Sequence, residues 1–527
     1  MTRTYPTDSI RRIKFNFPLI LFAATVLFYL AFSPATIEGM GYYGENLNAA
    51  NQLASNLISL AHGQFFIPVT WTRHGGLELI VELPFVLFSH LFFGASVKWA
   101  GRLLALQPIL ATALIVTLLF AWFSRLTGNR RQSLFLALVA AFTTMLWPYA
   151  YIGLETTQSV CLLGAGYLIL GRKARHTWPE VLLVSGCCAM ALAVKSTGLF
   201  LLPALAYLVF CYFSAGNIHS RVTKLVALPG IVASIFILNH YLKEGYFAGS
   251  QGGSTAFFSS LLVDGPSVVL MQAFSFFGSA NKSLLIYAPV VVLCLANLPK
   301  AYRLHPRLVI FALLTLGGLV SGFSLVTVWA EETWGPRYLH AAIPPLLVCL
   351  AAARPSGNEW QQKFLLPAAA VLGLLVTLPG VLIAYPSLHH AMTGSGRATL
   401  PALQYDPVFN HVRFNYQLLR IWLVTGDGSV NSPVPWPPPP PWWFEKPADA
   451  SPEKLVDLRE WATPQPAILR VWTPAMSISP KQHFFLRLLL VGCLSLSLAL
   501  FFWLTILVLR EAESASEFIE KHDEHQR

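Results

Sequence analysis

Four side chains that could do chemistry stand together in one polar stretch of an otherwise apolar sequence. The stretch 329–340 reads WAEETWGPRYLH and contains Glu331, Glu332, Arg337 and His340. Carboxylates and imidazoles exchange protons, and a guanidinium binds anions. Long apolar runs lie on both sides of the stretch, so we expect it to lie where membrane-spanning segments begin and end.

Other charged residues lie at the edges of other apolar runs. A charged side chain placed in a membrane costs about 2.5–3.5 kcal/mol on insertion scales, so these positions need a physical reason. With the topology given below, these residues fall on the same side of the membrane. We therefore expect several helix ends to surround a polar cavity next to lipid. The residues are Glu38, Glu45, Arg73, His74, Glu78, Glu155, Lys195 and Lys282.

The composition indicates a membrane protein. The chain has 527 residues, of which 55% are hydrophobic and 12% are charged, whereas soluble domains carry about 25% charged residues. The net charge of +11 is spread over short clusters between apolar runs, which is typical of residues that set membrane topology. We predict an all-α polytopic membrane protein whose partners include membrane lipids and exclude nucleic acid.

About twelve apolar runs are long enough to be transmembrane helices. Basic loops such as SRLTGNRRQ, GRKARH and PKAYRLHPR all fall on one side if the twelve runs cross, and the positive-inside rule makes that side the cytoplasm. Both termini are then cytoplasmic. The runs are 17–34, 101–124, 133–151, 153–171, 179–195, 197–214, 225–241, 283–298, 307–329, 338–353, 364–384 and 484–510.

One further apolar run, residues 79–95, does not fit this count. It contains Glu82, Pro84 and His90, and a full crossing would place the loop SRLTGNRRQ on the outer side. We predict an interfacial or re-entrant helix here, because polar membrane segments persist only when packed on protein or next to a wet cavity.

The pattern of long outer segments divides the chain into three parts. Residues 1–384 form a transmembrane module that includes an outer loop at 35–100. Residues 385–483 form a second outer region, with a Pro- and Trp-rich stretch at 433–447 that is typical of a stiff polyproline II strut. Residues 484–527 form the last transmembrane helix and a cytoplasmic tail.

The sequence lacks several motifs that are common in soluble enzymes. It contains no GxxxxGK[ST], HExxH, CxxC or GxSxG pattern, which argues against transport driven by ATP within this chain. His62, His74 and the pair His389 and His390 have no recognised metal-ligand spacing. No cofactor is therefore predicted, and a divalent metal is left open.

An ordered series of motifs resembles a known family. The series is LAHGQFFIPVTW, FFGASVKWAGRLLAL, WPYAYIGLETTQSVCLL, FGSANKSLLIYAPVVVL and TWGPRYLHAAIPPLL. In order and context it resembles bacterial GT-C-type glycosyltransferases that use polyprenyl-phosphate-linked sugars, relatives of protein O-mannosyltransferases and aminoarabinose transferases. The resemblance extends from residue 15 to about residue 420. It implies a bacterial inner-membrane enzyme that transfers a sugar from a polyprenyl-phosphate carrier to a lipid or glycan acceptor of the cell envelope.

The resemblance implies roles for the cationic residues. Arg337 would bind the phosphate of the donor, because a guanidinium holds phosphate with two parallel hydrogen bonds and stays charged at any relevant pH. Lys282 or Lys195 would add a second contact to the charge that develops on the departing phosphate. Glu331 and Glu332 would orient Arg337 or line the acceptor pocket. A structural clamp between Arg337 and one of these two carboxylates is the alternative.

The resemblance also implies a base in the first outer loop. An inverting transfer needs a group that takes the proton from the attacking hydroxyl or amine. Glu45 is the nearest counterpart of the family's acidic residue, and Glu38 is the second candidate. The family's Asp-Glu pair is absent from this loop. Glu155 would orient the pocket.

Two other classes of protein remain open at this point. A transporter or flippase of lipid-linked glycans would also place charges in an outward cavity, but it is expected to show paired halves with broken helices. An O-antigen polymerase or ligase also acts on polyprenyl-linked glycans. The large acidic loop after the first span, together with the later GPRY segment, favours the GT-C type. The sequence does not specify the sugar or the acceptor.

Overall fold

Helices make up the regular structure in the described part of the chain. The computed structural model describes residues 16–33, 43–63, 76–94, 97–151, 153–172, 177–214, 230–235, 237, 265–326, 334–353, 361–383, 405, 407, 410–416, 419 and 480–524. Every regular element assigned within these ranges is a helix. The all-α prediction is therefore confirmed for this part of the chain.

The α-helices are numbered here in chain order. They are α1 (Phe17–Ala31), α2 (Tyr43–Ala61), α3 (Gly76–Phe93), α4 (Val97–Leu104), α5 (Leu106–Thr127), α6 (Arg130–Thr143), α7 (Leu146–Tyr149), α8 (Gly153–Gly166), α9 (Trp178–Ala193), α10 (Leu202–Ser214), α11 (Pro266–Gly278), α12 (Leu284–Tyr287), α13 (Val290–Leu304), α14 (Pro306–Ser324), α15 (Ile343–Ala352), α16 (Leu366–Leu382) and α17 (Pro480–Glu524). Two 3₁₀ helices, Ser196–Leu201 and Arg337–Ala342, lead into α10 and α15. Two π-helical turns, Tyr167–Gly171 and Gln361–Leu365, follow α8 and precede α16.

Several helices are suited to a lipid bilayer. Within the described residues, five are long and apolar enough to cross a membrane. They are Leu106–Thr127, Thr197–Ser214, Pro306–Ser324, Lys363–Leu382 and Phe484–Arg510. Shorter apolar helices, among them α1 and α9, pack beside them. The chain is thus a polytopic membrane protein, while the number of twelve crossings stays a prediction.

Some predicted runs are divided in the structure. The run predicted at 133–151 breaks where Thr144 takes an extended backbone, and α7 follows the break. The hydroxyls of Thr143 and Thr144 bond back to carbonyls one turn earlier, a contact that competes with regular helix geometry. The run predicted at 101–124 is divided at Ala105 into α4 and α5.

Other predicted segments are described only in part. The run at 79–95 lies mostly in α3, which continues through Pro84, and its placement at the membrane interface stays a prediction. Of the run at 225–241, only 230–235 and 237 are described. Nearly all of 385–483, including the strut at 433–447, lies outside the described residues. The three-part division of the chain stays a prediction.

Contacts made by α1 distinguish the two ends of the bundle. At the start of α1, the guanidinium of Arg130 lies 4.6 Å from the ring centre of Phe17. Near the other end of α1, the hydroxyl of Tyr151 donates to the backbone oxygen of Tyr29 over 3.2 Å. Glu155 lies four residues after Tyr151. The basic loop at Arg130 and the acidic residue Glu155 therefore belong to opposite ends.

The last helix runs antiparallel to the first. Ala31, at the end of α1, packs with Leu490. The hydroxyl of Ser497 donates to the backbone oxygen of Ala24 over 2.7 Å. Because Leu490 precedes Ser497 in α17 while Ala31 follows Ala24 in α1, α17 travels toward the end of the bundle that holds Arg130.

Glycines allow some helices to approach very closely. A Cβ atom at Gly318 in α14 would overlap the backbone oxygen of Phe200, and one at Gly373 in α16 would overlap the backbone oxygen of Thr143. Small residues of this kind let backbones touch in membrane bundles, where packing contributes much of the association energy. Neighbouring Gly317 is exposed, and a Cβ there would meet nothing within 4 Å.

Substitution of the two adjacent glycines tests this packing. We expect Gly318→Ala to destabilise the protein by about 1–3 kcal/mol, because the added methyl group must displace backbone. Gly317→Ala is the matched control and is expected to be neutral or to stabilise by about 0.5–1 kcal/mol, because alanine has less backbone freedom to lose. Thermal unfolding in detergent measures both variants. Equal melting temperatures would contradict the close contact between α14 and Phe200.

Candidate functional site

Glu155 begins the site. It lies in the first turn of α8 and only 3% of its surface is exposed. A carboxylate is favourable at this position because the unpaired N–H groups of a helix start carry partial positive charge. The amide of Gln158, one turn further on, donates to the backbone oxygen of Ala191 over 3.1 Å. This bond holds the start of α8 next to the end of α9.

Lys195 comes from the junction after α9. It is the N-terminal capping residue of the 3₁₀ helix Ser196–Leu201, and its backbone oxygen accepts from the amide of Gly198 over 2.8 Å. Its side chain is buried, and the ammonium donates a hydrogen bond to Oε1 of Glu155. α8 begins and α9 ends at the same end of the bundle, which brings the two charges together.

Arg337 is placed by the turn that precedes it. Gly335 has a φ of +62°, a conformation that favours glycine, and a Cβ there would also overlap the ring of Tyr287. The backbone oxygen of Trp334 accepts from the hydroxyl of Tyr149 over 2.8 Å. Pro336 then leads into the 3₁₀ helix Arg337–Ala342, whose first residue is Arg337. These contacts fix the depth at which the guanidinium enters the bundle.

The two cations share one carboxylate oxygen. Nε of Arg337 donates to Oε1 of Glu155 over 2.7 Å, and the ammonium of Lys195 donates to the same atom. Arg337 is 2% exposed. The other oxygen, Oε2 of Glu155, is buried and has no hydrogen-bond partner in the described part of the chain. These three side chains, the charged trio, carry one more positive than negative charge.

The ring of Tyr338 lies beside both cations. It stacks on Phe323 of α14 with ring centres 4.0 Å apart. The ammonium of Lys195 lies 4.9 Å from the centre of the Tyr338 ring, and the guanidinium carbon of Arg337 lies 5.7 Å from it. An aromatic face attracts cations at this range. Tyr338 therefore helps to hold two positive charges in an apolar setting.

Lys282 lies on a neighbouring segment. Lys282 is 1% exposed. Two residues before it, the backbone oxygen of Ala280 accepts from the side-chain amide of Asn410 over 2.6 Å. His411, which follows Asn410, has its ring centre 6.4 Å from that of Trp334. The structure thus brings Glu155, Lys195 and Arg337 into contact and buries Lys282 in a segment linked to the same turn. The binding of substrate by Lys282 stays a prediction.

The predicted acidic partners are described less fully. Glu331, Glu332 and Glu38 lie outside the described residues. Glu45 lies in α2, but the position of its side chain is not described. The role of Glu45 or Glu38 as base therefore stays a prediction. Arg337 is held by Glu155, a partner from α8 that the sequence did not assign to it.

Three residues near the trio were not predicted to bind substrate or to act as the base. They are Tyr338, Ser159 and His340. Nδ1 of His340 and Oγ of Ser159 are 2.7 Å apart, and both residues are fully buried. The sequence does carry a signal for Ser159 and His340, because Ser159 follows Glu155 by four residues and His340 follows Arg337 by three. Such spacings place side chains on one face of an α-helix and of a 3₁₀ helix respectively.

Metal binding finds no support in the described side chains. Among them, no group of three or more His, Cys, Asp and Glu residues lies close enough to hold an ion.

Solved structures similar to this chain come from Cupriavidus metallidurans and Archaeoglobus fulgidus. The crystal structure of ArnT from Cupriavidus metallidurans bound to undecaprenyl phosphate is 14% identical, with a TM-score of 0.43 over 93% of this chain and 76% of ArnT. The Archaeoglobus fulgidus oligosaccharyltransferase in complex with Zn and sulfate is 13% identical, with a TM-score of 0.38 over 69% of this chain and 51% of that protein. The archaeal oligosaccharyltransferase AglB with an inhibitory peptide and a dolichol-phosphate is 12% identical, with a TM-score of 0.38 over 76% of this chain and 60% of AglB.

This chain spans only 51–60% of the length of the two oligosaccharyltransferase structures. No protein-family model and no curated protein matches the chain. Because the three TM-scores lie below 0.5, function has to be argued from the charged trio itself.

Removal of the shared carboxylate tests the electrostatics of the trio. Glu155→Gln keeps the shape of the side chain but leaves Lys195 and Arg337 without the charge between them. We expect the free energy of unfolding to fall by about 3–5 kcal/mol, because breaking a buried ion pair leaves a buried charge without its partner. Thermal unfolding in detergent measures the effect.

The control for this variant is Arg131→Gln. Arg131 is exposed at the opposite end of the bundle, and its substitution should change stability by less than about 0.5 kcal/mol. If Glu155→Gln were as stable as Arg131→Gln, Glu155 would not be neutralising the two cations.

Proposed function

We propose that the protein is an inverting glycosyltransferase that moves a sugar from a polyprenyl-phosphate carrier to an acceptor of the cell envelope. The observation that carries the proposal is the charged trio. Two buried cations converge on one carboxylate oxygen at one end of an apolar membrane bundle. Ionisable groups inside membrane proteins are costly, so they are candidates for functional sites by default.

A phosphate group suits this trio. Lys195 uses one of its three ammonium donors on Glu155 in the described part of the chain, so further donors remain for an anion. A guanidinium and an ammonium together match the diester phosphate of a lipid-linked sugar. The excess positive charge of the trio would be balanced when this anion binds.

The opposing interpretation is a purely structural clamp. Replacing a buried ion pair by apolar residues is often neutral or stabilising, so an ion pair in an apolar bundle is weak evidence for a stabilising role. A clamp between Arg337 and Glu155 alone would also not need Lys195. The presence of both cations on one oxygen therefore favours ligand binding over a clamp.

The chemistry follows from where charge develops during transfer. The acceptor oxygen or nitrogen attacks the anomeric carbon while the bond from that carbon to the phosphate oxygen breaks. The electron pair of that bond leaves with the phosphate, whose added negative charge would be stabilised by Arg337 and Lys195. Glu45, or Glu38 as the second candidate, would accept the proton from the acceptor. Attack opposite the leaving phosphate inverts the anomeric configuration.

The orientation of the chain belongs to the same proposal. The trio lies at the end of the bundle opposite Arg130, whose basic loop the positive-inside rule assigns to the cytoplasm. Transfer would therefore take place on the extracytoplasmic face of a bacterial inner membrane, with both termini in the cytoplasm. Glu155 would keep the two cations oriented without contacting the transferred sugar.

Purified protein offered a panel of radiolabelled polyprenyl-phosphate sugars tests the proposal. We expect the wild type to release polyprenyl phosphate with at least one sugar. Arg337→Ala and Lys195→Met should each lower kcat/KM by about 10²-fold or more, because each removes a donor to the developing phosphate charge. Arg337→Lys should restore little of the loss, because an ammonium lacks the planar fork of a guanidinium.

Two further variants complete this experiment. Arg131→Gln, which removes a charge at the opposite end, should keep full activity. Glu45→Gln should bind the donor and lose turnover, because an amide does not accept the proton. Binding of the lipid without turnover by the wild type, unchanged in Arg337→Ala and Lys195→Met, would overturn the proposal and favour a transporter.

A further inference from the structure

Side-chain hydrogen bonds between described residues join the 3₁₀ helix Arg337–Ala342 to α8. The first is the ion pair from Arg337 to Glu155 over 2.7 Å. The second is the neutral contact between Nδ1 of His340 and Oγ of Ser159, also over 2.7 Å. All four residues are buried. The Arg337–Glu155 contact is the charged rung between these two helices, and the His340–Ser159 contact is the neutral rung.

The two rungs are in register because of helix geometry. Arg337 and His340 are three residues apart on a 3₁₀ helix, which rises about 2.0 Å per residue. Glu155 and Ser159 are four residues apart on an α-helix, which rises about 1.5 Å per residue. Both spacings correspond to about 6 Å along the helix axis. A 3₁₀ helix therefore meets α8 with both pairs aligned.

The hydrogen bonds around Ser159 favour one tautomer of His340. The hydroxyl of Ser159 donates to the backbone oxygen of Glu155 over 2.6 Å, and a carbonyl only accepts. The single hydroxyl proton is thereby used. The contact with His340 must then run from Nδ1–H to the lone pair of Oγ. Nδ1 of His340 then carries a proton, and a neutral His340 carries none on Nε2.

We propose that Ser159 and His340 are positioning residues for the lipid-phosphate site. The neutral rung sets the register of the Arg337–Ala342 helix against α8 and so places the guanidinium of Arg337 on Glu155. This inference rests on the function proposed above. The chain of contacts is continuous, because Ser159 bonds to the backbone of the residue whose carboxylate holds Arg337.

The other ring nitrogen supports a role beyond filling space. Nε2 of His340 is buried and has no hydrogen-bond partner in the described part of the chain. The ring packs against Tyr149, with ring centres 5.3 Å apart. A leucine or phenylalanine would fill an apolar site without leaving a buried polar atom unpaired. The bond to Ser159 is therefore the feature that calls for a histidine here.

A double-mutant cycle on donor binding tests the inference. The probe is undecaprenyl phosphate without sugar, and its dissociation constant is measured for Ser159→Ala, His340→Ala and the double variant. Each single variant is expected to weaken binding by about tenfold, the value of one buried hydrogen bond. The double variant should be no weaker than either single one, because both changes remove the same contact. Independent effects that add to about a hundredfold loss would overturn the inference.

Two replacements of His340 separate positioning from packing. The side-chain amide of asparagine can put an N–H where Nδ1 lies, whereas the longer glutamine puts it nearer to Nε2. His340→Asn should therefore bind undecaprenyl phosphate within about threefold of the wild type, and His340→Gln should resemble His340→Ala. Melting temperatures of all variants serve as the control for folding. The inference is wrong if Gln restores binding and Asn does not.

The tautomer has its own readout, which does not depend on donor binding. Solid-state ¹⁵N spectra of histidine-labelled protein in lipid, with the His340 signal assigned by its loss in His340→Asn, should give an unprotonated Nε2. A protonated Nε2 would overturn the neutral rung. If the wild type bound no undecaprenyl phosphate while Nε2 was unprotonated, the proposed function would fail and the contact between Ser159 and His340 would stand.

Discussion

Two positive charges held close together inside an apolar bundle need a negative charge between them. Coulomb repulsion is weakly screened in such an interior, and moving either cation out of water is itself costly. The carboxylate of Glu155 supplies this negative charge, because its Oε1 accepts hydrogen bonds from both Lys195 and Arg337. Three chain segments must therefore end at the same depth in the bundle: the start of α8, the junction after α9 and the turn that precedes Arg337.

Much of the surrounding structure can be understood as support for that depth. Gly335 and the bond from Tyr149 to Trp334 fix the turn before Arg337. The stack of Tyr338 on Phe323 places an aromatic face next to both cations. These supports are apolar or neutral, so they position charge without adding any. Substitutions on the lipid-facing surface of the bundle would therefore leave the charge of the site unchanged.

The sequence predicted the kind of fold and the members of the trio, but not their contacts. Apolar runs separated by basic loops are local patterns, and they predicted an all-helical polytopic protein. Glu155, Lys195 and Arg337 were each recognised because a charge at the edge of an apolar run is unusual. Their meeting depends on helix packing, since Glu155 is 40 residues from Lys195 and 182 residues from Arg337. The pairing of His340 with Ser159 was missed because their spacings from Arg337 and Glu155 place each residue on a shared helix face but do not show that the two faces meet.

The length of the last helix has a consequence for the opposite side of the membrane. α17 extends from Pro480 to Glu524, and only Phe484–Arg510 is apolar enough to cross. At about 1.5 Å per residue, the 14 residues that follow Arg510 continue for about 21 Å. Because α17 is antiparallel to α1, this extension leaves the bundle at the end that holds Arg130. The backbone of α17 thus extends beyond its apolar part on the face away from the charged trio.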